Sequence, residues 1–149
     1  MDRAAVQWIN LTVDAQRATL SYGGHGQFYD NSSGSNVYWY YYPSLVVNCA
    51  GDMVTGFSGS SATNYIGAFY ASRLSDGSNF LSPHLIQDGT PNYTGGGLDP
   101  TRWGDYSATT LDPTNDWTFW TVQEYASPSR DPLGGAEWST VISKIRPQP

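Results

Sequence analysis

Two carboxylates open the functional reading: Asp105, in RWGDYS, and Glu124, in WTVQEYA. If the strand that starts near the first pairs with the strand that ends near the second, both acids reach one rim. A pair so placed suits glycoside hydrolysis, where one carboxyl protonates the leaving oxygen and the other acts as nucleophile or base. Tyr106 and Tyr125 stand beside them, and a tyrosine takes the nucleophile's part in some glycosidases. A structural reading competes, in which Asp105 bonds backbone amides at a strand entry and Glu124 pairs with Arg102. Tyr40, Tyr42, Arg102, Trp103, Tyr106 and Tyr125 add rings and a guanidinium near strand openings. Such a set can hold a sugar face or a protein surface. Within the run Tyr38 to Tyr42, alternate members are expected in the core and the rest outside.

Other candidates carry less. Asp112, Asn115 and Asp116 gather hard oxygens in one tight turn, which calcium could use. Their spacing is not that of an EF-hand, and Asx side chains serve turns of their own accord. No cofactor is therefore expected, with calcium as the single candidate. His25 and His84 have no second ligand at zinc spacing. Cys49 is the sole cysteine, so no intrachain disulfide is possible. After Leu45-Val46-Val47-Asn48 it reads as a buried thiol and not a nucleophile.

The elements that must position these residues read as strands. Aromatics make up 15% of the 149 residues and charged residues 13%, with 16 Gly and 9 Pro, a mixture that suits an all-β chain with many turns. Strands are expected at 3–13, 18–22, 37–48, 53–58, 65–74, 84–87, 105–111, 117–125 and 138–145. Long polar loops are expected at 23–36 and 90–101, and another loop at 128–135. No segment has a helical stripe. The strand 117–125 is apolar at Trp117, Phe119 and Tyr125 and also at Trp120 and Val122, which implies cover on both of its faces.

The net charge of −6, with no basic cluster, argues against nucleic acid. No run approaches the ~18 apolar residues that span a bilayer, so no membrane partner is expected. No charged segment followed by an apolar one opens the chain, so no signal peptide is expected here. The composition nonetheless has an extracellular or periplasmic flavour.

The layout repeats. SLVVNCAGDMVTGFSGS from Ser44 matches SATTLDPTNDWTFWTVQ from Ser107, and YIGAFYASRL from Tyr65 pairs with WSTVISKIRP from Trp138. VQWINLTV near the start is a third copy of the latter strand. With four strands to a unit, the chain reads 3-4, then 1-2-3-4, then 1-2-3. Antiparallel units of roughly 50–60 residues with inner strands covered on both faces describe propeller blades. A sandwich is the rival, because strands at this spacing also suit one.

The pieces PSLVVNCAGDMVTGFSGSSATNYIGAFYASR, RWGDYSATTLDP, FWTVQEYA and WSTVISKI resemble the C-terminal blades of a bacterial sialidase-like β-propeller family. The resemblance covers about two thirds of the chain and implies a propeller fold and a sialidase-type label. The chain has no clear Ser-x-Asp-x-Gly-x-Thr-Trp box and no visible arginine triad.

The expected protein is thus one all-β domain over 1–149, a partial β-propeller of two to three four-stranded antiparallel blades. The blade segments fall at about 3–36, 37–90 and 102–147. Its expected function is non-catalytic binding or scaffolding of carbohydrate or protein. Two ragged sheet ends imply a homo-oligomer, since a blade with no neighbour exposes an apolar face. The alternatives are a glycoside hydrolase using Asp105 and Glu124, and a truncated propeller fragment without native activity.

Overall fold

A computed structural model describes residues 3–90, Tyr93, 103–130 and 136–147. Nine strands run in order through them: β1 (Val6–Asp14), β2 (Thr19–Phe28), β3 (Trp39–Val47), β4 (Met53–Ser60), β5 (Gly67–Arg73), β6 (His84–Gln87), β7 (Ala108–Leu111), β8 (Phe119–Arg130) and β9 (Ala136–Ile145). There is no helix among the described residues. The strands form three antiparallel sheets, a hairpin β1–β2, a four-stranded β3–β4–β5–β6 and a three-stranded β7–β8–β9, each in chain order. None of the three closes on itself.

The repeat read in the sequence reappears as topology. Val47 pairs with Met53 across one turn and Leu111 with Phe119 across the other, and each inner hairpin gains its third strand on the same side. The two sheets lie face to face, with β3 against β7 and β4 against β8. Asn48 Nδ2 donates to the Asp116 carbonyl at 3.0 Å and the Cys49 amide to Asp116 Oδ2 at 2.8 Å, which ties the two turns together.

Cover on both faces holds for β4. Val54 meets Phe119 and Ile145 of the three-stranded sheet. On the opposite face Phe57 meets Tyr40, Phe69 and Val6, with Phe28 of the hairpin and Phe80 packed alongside. Phe57 is fully buried, its ring centroid 5.0 Å from Tyr40 and 5.1 Å from Phe28. Burial of such a side chain is worth about 1.5–3 kcal/mol. The hairpin, the four-stranded sheet and the three-stranded sheet therefore form three layers around β4.

The same expectation fails for 117–125. Phe119, Thr121 and Gln123 are buried against β4, but Trp120 and Val122 face outward and are only half-buried. Ile142, opposite Val122 on β9, is 67% exposed, and no third layer lies over this face among the described residues. Trp117 precedes the strand and sits exposed in the turn.

Further departures have local causes. β2 runs through Gly23, Gly24 and Gly26, where a polar loop was expected, because β1 supplies a partner along its whole length. A side chain at Gly26 would collide with the Trp8 indole, 2.7 Å from the added carbon. β8 continues to Arg130, where a loop was expected. Cys49 is exposed, since β3 ends at Val47 and the thiol falls in the turn beyond it.

Candidate functional site

Strand openings at one end of the facing sheets carry the candidate residues. The β3 opening contains an irregularity between Tyr41 and Ser44, where Tyr42 adopts a left-handed φ of 53°. A non-glycine residue there costs on the order of 1 kcal/mol and persists only where its surroundings fix it. Here the Ser107 hydroxyl, at the equivalent opening of the next sheet, donates to the Tyr42 carbonyl at 3.0 Å. Tyr42 is 53% exposed, its ring edge-on to Tyr41, and Tyr106, beside Ser107, is 86% exposed. Two phenol rings thus stand free on adjoining openings.

Tyr40 does not join them. It is 5% exposed within the Phe57–Phe69 cluster, and burial, with the charge of Asp30 nearby, pushes its hydroxyl up to about 12. Strict alternation would put Tyr40 and Tyr42 on one face, and the irregularity between Tyr41 and Ser44 turns Tyr42 outward while Tyr40 stays inside, so a ligand role for Tyr40 is corrected to a packing role. Tyr125 is half-buried on the sheet face that turns toward β4. Arg102 lies outside the described residues, and so does its pairing with Glu124.

Asp105 and Glu124 do come together. Glu124 is 4% exposed. Burial raises its carboxyl above the usual glutamate value, the Tyr106 amide donates to it in opposition, and the charge of Asp105 raises it further. Asp105 is exposed. Gly104 explains how the acid fits: a β-carbon there would overlap the Glu124 carboxyl, so only glycine lets the chain cross it. Behind the pair, the Trp103 ring meets Tyr93 edge-on at 5.0 Å. The Trp103 indole N–H is buried without a hydrogen-bond partner among the described residues. Glu124 also raises the Tyr93 hydroxyl, after the larger effect of burial. Tyr93 is the participant that the sequence did not single out; its only signal was an aromatic ring in a polar loop.

The environments of the two acids differ in the way acid–base chemistry uses. Burial favours the neutral form of Glu124, the direction that a general acid needs.

The 112–118 turn uses its oxygens itself. Asp112 Oδ1 accepts the Thr114 amide and hydroxyl, and Asp112 Oδ2 accepts the Trp120 indole N–H at 2.8 Å. These bonds, the Thr114 hydroxyl first, hold the Asp112 carboxyl down at about 2. Asn115 Oδ1 accepts the Trp117 amide, and Asp116 Oδ2 accepts that of Cys49. Each of the three calcium candidates therefore has a turn-building role. Among the described residues no three metal-ligating side chains converge. His25 lies on β2 near the Tyr22 hydroxyl, whereas His84 stacks on Tyr70 at 5.0 Å.

No family model, no curated protein and no solved structure matches the chain.

Proposed function

We propose that this chain is a non-catalytic, propeller-type binding or scaffold module that holds carbohydrate or protein at its strand openings. The exposed pair Tyr42 and Tyr106 carries the reading, the first fixed in a costly backbone conformation by the opening that bears the second. Exposed tyrosine rings, with few rotatable bonds, supply contact area at little entropic cost. A glycan array probed with the wild type, Tyr42→Ala and Tyr106→Ala tests it. Retained wild-type signal in both variants sinks the rim assignment.

The propeller reading draws support from like strands lying on like strands across facing sheets. The outermost layers then account for self-association. Ile9, Leu11 and Val13 share the hairpin's outward face with Leu20 and Tyr22, and all five are exposed. At the opposite end Trp120, Val122, Trp138 and Ile142 share the open face of the three-stranded sheet. Two apolar ends on one molecule suit stacking between copies. Light scattering is expected to give an oligomer, and Ile142→Lys a smaller species with unchanged far-ultraviolet dichroism. A wild type that is monomeric at micromolar concentration refutes the assembly.

A second reading is glycoside hydrolysis, favoured by the raised Glu124 carboxyl beside exposed Asp105. Glu124 would protonate the leaving oxygen, and Asp105 would act as nucleophile or base. Turnover of chromogenic glycosides that disappears in Glu124→Gln and in Asp105→Asn separates it from simple binding.

A further inference from the structure

The end of the sheets opposite the strand openings holds a second concavity. A cleft of about 470 Å³ opens between the two linked turns and the segment after β9, lined by Asp52, Asn115, Trp117, Phe119, Arg146 and Pro147. Its volume falls within the roughly 300–1,000 Å³ of small-molecule sites.

The polar groups in it are held in place by bonds that leave part of their capacity unused. Arg146 Nε donates to the Thr118 hydroxyl at 3.2 Å, and Thr118 is fully buried, so the guanidinium is anchored through one nitrogen of three. Asn115 Oδ1 accepts the Trp117 amide at 3.1 Å, which fixes the side chain and leaves its NH₂ group only a long contact to Thr114 Oγ1, at 3.4 Å. Asp52 accepts the Ser75 amide through Oδ1 at 2.9 Å and the Asn48 amide group through Oδ2 at 3.0 Å. Each of its oxygens retains a lone pair. Trp117 forms the aromatic wall. It is 64% exposed, and no ring or cation stacks on it among the described residues.

We propose that this cleft binds one pyranose residue of a neutral carbohydrate. An indole in water presents a flat apolar face that matches the C–H face of a sugar ring. The Arg146 and Asn115 N–H groups and the Asp52 carboxylate then supply donors and an acceptor, all planar, for ring hydroxyls. The charge balance selects the ligand. Asp52 offsets Arg146, so the site gains nothing from an acidic sugar and pays desolvation for one. The site is separate from the strand-opening rim and does not depend on what binds there.

Titration calorimetry and saturation-transfer NMR with cellobiose, maltose, lactose and diacetylchitobiose, up to about 10 mM, test the proposal. Galacturonic acid serves as the charged comparator. At least one neutral sugar is expected to bind, Trp117→Ala to weaken it about tenfold or more, and Trp117→Phe to restore most of the affinity. Arg146→Gln should weaken binding about fivefold, an effect that a sugar held at the strand-opening rim would not show. No binding by any neutral sugar, full affinity in Trp117→Ala, or preference for galacturonic acid overturns the assignment.

Discussion

Gly56→Ala places one methyl group at the tightest point between the facing sheets. The added carbon would stand 2.8 Å from Gln123 Cδ and closer still to Gln123 Nε2 and Thr121 Oγ1. Neither neighbour can step aside. Gln123 is fully buried, its Nε2 donating to Ser44 Oγ at 3.1 Å and Thr121 Oγ1 at 2.8 Å, and Thr121 Oγ1 lies 2.9 Å from Thr109 Oγ1. Overpacking a close-packed interior costs about 1–3 kcal/mol, and each buried hydrogen bond lost adds about 1 kcal/mol. A helix-like gain from Ala is absent, because position 56 lies mid-strand. The variant is therefore expected to lose about 3–4 kcal/mol. For a chain of this size that corresponds to a fall of roughly 10 °C in melting temperature. Urea unfolding with an unchanged m-value measures it. Gln123→Ala in the same background should return about 1–2 kcal/mol by vacating the space, a coupling typical of residues in contact. A Gly56→Ala midpoint within error of wild type, or strictly additive single and double variants, refutes the face-to-face packing on which both strand-opening positions depend.

Other outcomes follow from the same geometry. Glu124 has a folded-state carboxyl raised above its unfolded value, so the folded form binds the extra proton and stability falls as pH climbs from about 4.5 through the raised value. Glu124→Gln should abolish that slope in urea midpoints measured across pH. Asp112 has the opposite sign: its carboxyl, held at about 2, stabilises above pH 3.8 and loses that effect as pH falls toward 2. Asp112→Asn should give a shallower acid-unfolding curve over that window, followed by tryptophan fluorescence. Phe57→Ala removes the fully buried ring at the centre of the aromatic cluster and should cost about 3–5 kcal/mol in chemical denaturation. Gly104→Ala should displace the Glu124 carboxyl and move its titration in side-chain NMR toward the ordinary glutamate value.

Much of the architecture was legible in the residues themselves. Bulky and β-branched runs bounded by Asn, Asp, Gly and Pro mark nearly every strand, because those side chains suit a pleated surface and those turns need special backbone angles. The matched hairpins at Ser44 and Ser107 likewise announced the repeated topology, since equal patterns of size and turn chemistry fold to equal units. The convergence of Asp105 and Glu124 was readable too, because antiparallel pairing returns the end of one strand to the start of its partner.

What the residues could not disclose depends on neighbours distant in the chain. Tyr40 and Tyr42 have the same side chain, and only the irregularity at Tyr41–Ser44 and the Ser107 bond send one inward and the other out. β2 extends across three glycines because β1 lies beside it, whatever their intrinsic preference. Glu124 holds its proton more tightly because a segment that lacks a side chain at Gly104 covers it. The open face at Trp120 and Ile142 likewise reflects which layers lie over it, on which alternation along a single strand is silent. Composition and period fix which segments extend and where they turn; exposure, proton affinity and strain belong to the contacts made once those segments meet.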